Sequence, residues 1–141
     1  MNSLRMKKLI VIAFSALGCL CSCSLRAQEE NLMLKHGQTL VGTPYVAHTL
    51  ERTEQETLFS SRNELDCTTF VESVMAMTLS TQQDGSFSES DFAENLQRVR
   101  YRQGILDGYT SRLHYTSDWI ADNICKRIIE DVTAAHSTYT D

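Results

Sequence analysis

The pattern of apolar residues predicts a mostly α-helical chain. Phe70, Val71, Val74 and Thr78 follow Cys67 at helical spacing. Phe92, Leu96 and Val99 form a second stripe, and Ile120, Ile124, Ile128 and Val132 a third. The stretches between them are polar or rich in turn formers, so the inventory is nearly all helix and loop.

Residues 1–23 stand apart from the fold. Arg5, Lys7 and Lys8 make a basic start, and Leu9–Leu20 is an apolar run too short for a comfortable membrane span. Leu20-Cys21-Ser22-Cys23 has the form of a lipobox, with a small residue directly before Cys23. The favoured reading is a signal peptide processed and acylated at Cys23. Ala16-Leu17-Gly18-Cys19 is a poorer version of that signal, and an ordinary cut after Ala27 is the alternative. Each of these implies export, to the periplasm or to the outer membrane as a lipoprotein anchored by its lipid. Residues 24–31 read as a polar tether, 32–133 as the domain and 134–141 as a divergent tail.

Within the domain, Leu32–Val41 reads as a short helix ended at Gly42. Thr43-Pro44-Tyr45 is extended, because proline disfavours helix in the residue before it. Residues 48–63 are polar loop, with a short strand expected near Leu58-Phe59. The second helix covers about Asp66–Ser80. Ser88-Glu89-Ser90-Asp91 has a capping-box pattern and opens the third, which Gly104 stops. Asp107-Gly108 marks a turn, and the last helix runs from about Ser117 to Val132.

The chemistry concentrates in Asp66-Cys67-Thr68-Thr69-Phe70-Val71-Glu72. Asp66 can cap the helix by accepting from first-turn N–H groups, which puts Cys67 at its positive end. That end stabilises a thiolate, the nucleophilic form of cysteine. The alternative is a small cysteine packed as a hydrophobe. Processing at Cys23 leaves Cys67 and Cys125 as free thiols. Cys125, among Ile120, Ala121, Ile124 and Ile128, reads as buried and structural, which disfavours a bridge between the two. No Cys/His pair has metal-ligand spacing, so neither metal nor other cofactor is expected. All 18 acidic residues lie beyond the leader, whereas three of the 13 basic ones lie in it, leaving a net charge of −8. Such an acidic body argues against nucleic acid as a partner.

Three motifs in order carry a resemblance. They are Gly42-Thr43-Pro44-Tyr45-Val46-Ala47, Leu65 to Glu72, and Arg100-Tyr101-Arg102-Gln103-Gly104 leading to Tyr109 through Trp119. Together, from about Leu34 to Val132, they resemble the N-acetylmuramoyl-L-alanine amidase-like family, a branch of the NlpC-type, papain-like cysteine amidases. The resemblance implies an α+β, papain-like fold with Cys67 as catalytic nucleophile on a helix N-terminus and a histidine on an antiparallel sheet. It implies muramyl-peptide fragments of peptidoglycan as substrate. Tyr45 matches that family's upstream tyrosine, so it either borders the same pocket or packs its ring beside Pro44, and Arg112, His114, Tyr115 and Trp119 read as shaping a sugar-peptide pocket.

Such domains are usually longer, and their histidine sits in a Ser-His-Val-Gly-like strand that this sequence lacks. The expectation is therefore the helical, nucleophile-bearing half of the fold, truncated and impaired. Of the four histidines, His36 reads as an exposed helix residue and His48 as a loop residue the resemblance does not require. His136 falls in the tail. His114 follows Cys67 at a suitable interval but in the wrong context, so substrate binding suits it better than base catalysis. Two functions compete: a muropeptide amidase using Cys67, and a non-catalytic envelope lipoprotein. A redox role for Cys67 and Cys125 is remote without a Cys-x-x-Cys pair.

Overall fold

Residues 32–136 are described by the computed structural model. Among them, α1 covers residues 32–39, α2 Cys67–Leu79, α3 Glu89–Arg100, α4 Thr116–Cys125 and α5 Thr133–His136. Short 3₁₀ turns at Arg102–Gly104 and Tyr109–Ser111 lie between α3 and α4. Extended pairing among the described residues is confined to isolated bridges: Tyr45 with Leu65, Thr81 with Phe87 and Tyr101 with Arg112. The expected strand at Leu58-Phe59 does not form. Leu58 instead packs its side chain on the core.

The start of α2 is built by a full capping box. The Asp66 carboxylate accepts from Thr69 N–H at 2.8 Å, and the Thr69 hydroxyl accepts from Asp66 N–H at 2.8 Å. Burial alone would raise the Asp66 carboxyl. The bonds from Thr69 and from the Thr49 hydroxyl outweigh it and hold Asp66 below the usual carboxylate range. In α3 Ser88 caps, accepting from Asp91 N–H at 3.3 Å.

Helices α2 and α3 pack together, and Leu40, Leu65, Val74, Ala76, Met77, Phe92 and Leu96 form the core between and beside them. Full burial of a side chain such as Leu96 stabilises the fold by about 1.5–3 kcal/mol. The buried face of α2 differs from the expected stripe, because Val71 is exposed while Glu72 is buried. The reason is Arg100, whose Nε donates to Glu72 Oε2 at 2.7 Å, with both side chains 2% exposed. Burial pushes the Glu72 carboxyl up, and Arg100 offsets this only in part.

Helix α4 is shorter than its stripe suggests. It ends at Cys125 because Arg127 takes a left-handed conformation, φ 59°. Arg127 N–H then donates to Ile124 O and Ile128 N–H to Asn123 O, the two bonds of a Schellman close. Val132, beyond that end, is exposed, as is Ile120 within α4. Asn123 holds α4 to α3, its side chain donating to Val99 O at 3.0 Å.

Two stability outcomes follow from the cap and the ion pair. Asp66→Ala should lower unfolding free energy by about 1 kcal/mol in urea titrations. In the parent, the Asp66 contribution is present above the ordinary carboxylate pKa of about 4 and is lost as pH falls below it. Arg100→Met should cost about 3–5 kcal/mol by stranding Glu72, and adding Glu72→Leu should recover much of that loss.

Candidate active site

Three segments converge at the N-terminus of α2. Residues 44–46 lie along Leu65, with Val46 N–H donating to Leu65 O at 3.0 Å and Leu65 N–H to Pro44 O at 3.1 Å. The buried Thr49 hydroxyl donates to Asp66 Oδ2 at 3.1 Å and ties the next turn to the cap. Residues 112–114 are held by Leu113 N–H donating to Arg100 O at 3.0 Å. Between these segments lies a cavity of about 300 Å³.

Cys67, Tyr45, Arg112 and His114, singled out from the sequence, all line this cavity. Tyr115 and Trp119 do not. Both belong to the start of α4, Tyr115 as its cap residue, and that helix turns toward α3. Cys67 is exposed as the first residue of α2, and among the described residues its Sγ has a single hydrogen-bonding neighbour, Thr68 Oγ1 at 4.0 Å. Of the first-turn donors, Thr69 N–H goes to the Asp66 carboxylate and Thr68 N–H also acts on it. The Cys67 N–H binds no group among the described residues. It is therefore a free donor beside the thiol, suited to an oxyanion.

Arg112 is buried and forms the charged wall. Its Nε lies 3.3 Å from Glu56 Oε1 and its Nη2 3.6 Å from Glu51 Oε1, yet neither nitrogen has a hydrogen bond of good geometry. Tyr101, also donating to Glu56, has its hydroxyl pushed above the usual range by burial and by that carboxylate. His114 Nε2–H donates to Tyr109 O at 2.8 Å, and its ring lies 4.1 Å from the Tyr109 ring.

The cavity also holds a residue that the sequence reading set aside. His48 lines it, with φ 59° and its Nδ1–H donating to Glu51 Oε2 at 2.8 Å. The sequence signal was the His48–Glu51 spacing, a single turn closed by Glu51 N–H to His48 O at 3.2 Å. His36 instead bonds Thr81 Oγ1 at 2.9 Å and is half-buried rather than exposed. His136 is exposed at the end of α5. Cys23 lies outside the described residues, as do the leader and the tether through residue 31.

The family model described as AmiA-like, N-acetylmuramoyl-L-alanine amidase-like, matches residues 35–141. The chain belongs to this family. The match includes residues 134–141, which the sequence alone set apart as a tail. Among solved structures, an N-acetylmuramoyl-L-alanine amidase from Bacteroides uniformis is 51% identical with a TM-score of 0.71, over 77% of this chain and 46% of that one. A Bacteroides fragilis structure, provisionally described as a xylanase, is 54% identical with a TM-score of 0.70, over 75% and 45%. A Legionella pneumophila protein, 22% identical with a TM-score of 0.60 over 84% and 42%, shares the fold alone. This family member thus spans less than half the length of each of these structures. No curated protein matches it.

Cys125 is exposed rather than buried, because α4 ends there. The two free thiols therefore sit at opposite ends of helices, Cys67 at the positive end of α2 and Cys125 at the negative end of α4. Iodoacetamide at pH 7, read by peptide mass spectrometry, should label Cys67 several-fold faster than Cys125, since accessibility no longer separates them and the dipoles do.

Proposed function

We propose that this protein is a cysteine amidase of the papain-like, NlpC type, acting on muramyl peptides. The observation that carries it is an exposed thiol at the first position of a capped helix, beside its own free N–H, in a cavity lined by Tyr45, Arg112 and His114. Cys67 attacks the lactyl carbonyl of the muramic acid, and its N–H holds the oxyanion. Collapse breaks the amide bond to L-alanine, releasing the stem peptide and leaving a thioester. Water then hydrolyses the thioester. Arg112 suits the peptide's carboxylates, and Tyr45 and His114 the sugar and amide groups.

The cavity carboxylates fit a glycosidase poorly. Such an enzyme needs one carboxyl as acid and another free as base or nucleophile. Asp66 is committed to the cap, Glu72 to Arg100, and Glu51 to His48 and Arg112.

A second reading, binding without turnover by an envelope lipoprotein, draws on one observation. No imidazole among the described residues is hydrogen-bonded to Cys67 Sγ. Incubating the chain with a muramyl-tripeptide separates the two. Free tripeptide that disappears with Cys67→Ala supports the amidase, whereas unchanged release in that variant refutes it. Tight binding with no release supports the second reading.

Localisation to the envelope by acylation at Cys23 is part of the same proposal. A fatty-acid probe should label the parent and fail on Cys23→Ala. Persisting label would move the anchor to Cys19, and no label in the parent would point to cleavage after Ala27.

A further inference from the structure

Among the described residues that line the cavity, Arg112 is the one permanent cation. Its side chain is 5% exposed, its Nε and Nη2 are shut off from solvent, and neither nitrogen finds an acceptor of good geometry. A buried guanidinium N–H without an acceptor is unfavourable, and a well-placed carboxylate removes that cost. The group is nevertheless held firmly. Its backbone bridges to Tyr101, and its guanidinium lies over the Tyr109 ring at 5.2 Å. The two carboxylates beside it differ in kind. Glu56 is 6% exposed and accepts from the Tyr101 hydroxyl at 2.8 Å, so it is fixed. Glu51 is 44% exposed and stands 3.6 Å from Nη2, beyond hydrogen-bond reach. Its other oxygen accepts from the exposed His48 ring. Glu51 is the loose partner.

We propose that Glu51 holds the place of a ligand carboxylate on Arg112 and gives it up when an acidic peptide binds. The inference rests on the muramyl-peptide reading and names what Arg112 selects within it: a free carboxylate of the peptide, in preference to a carboxamide. The exchange puts one carboxylate where another stood, so the charge beside the buried guanidinium is unchanged. Only the Glu51 side chain has to move, because the Thr49 hydroxyl pins its turn to Asp66. That carboxylate turns outward without losing a hydrogen bond, since Oε2 already accepts from His48 Nδ1–H at 2.8 Å. A ligand carboxylate at ordinary distance then gives Nη2 the acceptor that Glu51 at 3.6 Å does not. A carboxamide brings no charge to replace the one that leaves, so it faces a cavity in which Glu51 stays in place. The other cavity carboxylates do not compete for Arg112. Asp66 is taken by the α2 cap and Glu72 by Arg100.

Two probes test it: N-acetylmuramyl-L-alanyl-D-glutamate with its carboxyls free, and the same compound with both as carboxamides. Binding is titrated calorimetrically on the chain carrying Cys67→Ala, an exposed position, so that no cleavage intervenes. The acid should bind about tenfold more tightly than the diamide. Adding Glu51→Gln should tighten the acid by about fivefold and move the diamide by less than about twofold, a split that general damage to the site would not produce. Because Arg112 is buried, its variant is paired: Arg112→Gln with Glu56→Gln leaves neither charge stranded and should bind both probes alike. Equal affinities for acid and diamide before these additions overturn the subsite, as does binding of neither probe. Weaker acid binding with Glu51→Gln overturns Glu51 as the occupant that yields. An acid preference that survives the paired variant overturns Arg112 as its source. No peptide release by the parent, with the acid preference intact, removes the amidase reading and leaves the subsite standing.

Discussion

The Glu72–Arg100 pair is the interaction on which the remaining arrangement depends. It joins the middle of α2 to the end of α3 inside the core, where an unpaired charge is strongly unfavourable. Arg100 also donates to Phe59 O, and its own carbonyl receives Leu113 N–H. One residue therefore positions the helix that carries Cys67, the loop that carries Glu56 and the segment that carries Arg112 and His114. An apolar pair could join two helices equally well. It would not supply the guanidinium donor that holds Phe59 O, although the backbone carbonyl that receives Leu113 N–H would remain.

The same neighbourhood sets the electrostatics of the cavity. Glu51, Asp66 and Glu72 line it with Arg112, while Glu56 stands behind Arg112 and Arg100 behind Glu72. Carboxylates thus outnumber guanidinium groups around the cavity. For the thiol the balance is different. Cys67 stands at the positive end of the α2 dipole, with the Asp66 cap carboxylate one residue away.

The relatives share the helical scaffold at about half sequence identity, and this chain spans under half of their length. The described residues hold a built site rather than a collection of motifs. Three sequence-distant segments are locked around one helix start by backbone bonds and by the Thr49–Asp66 contact. The exposed Tyr45 ring and the exposed His48 leave the mouth of that site open to solvent.

Local physics made much of this legible in advance. The cap at Asp66, the first-turn position of Cys67 and the buried face of α3 follow from short-range spacing and from hydrogen bonds within four residues. The three motifs likewise named Tyr45, Cys67, Arg112 and His114, which meet in one cavity. What sequence could not reveal depended on contacts between distant segments. Glu72 is buried because Arg100, 28 residues away, meets it. Helix α4 stops at Cys125 because a left-handed Arg127 closes it, against a stripe that would have continued. His48 looked like an ordinary loop residue until the Leu65 and Asp66 contacts of its neighbours brought its turn to the cavity. Periodicity and capping are properties of neighbours along the chain, so the sequence by itself determined where α1 to α4 begin and that Cys67 stands at the start of α2. Buried charge and cavity lining are set by whichever segment arrives from afar, and only the tertiary structure decided those.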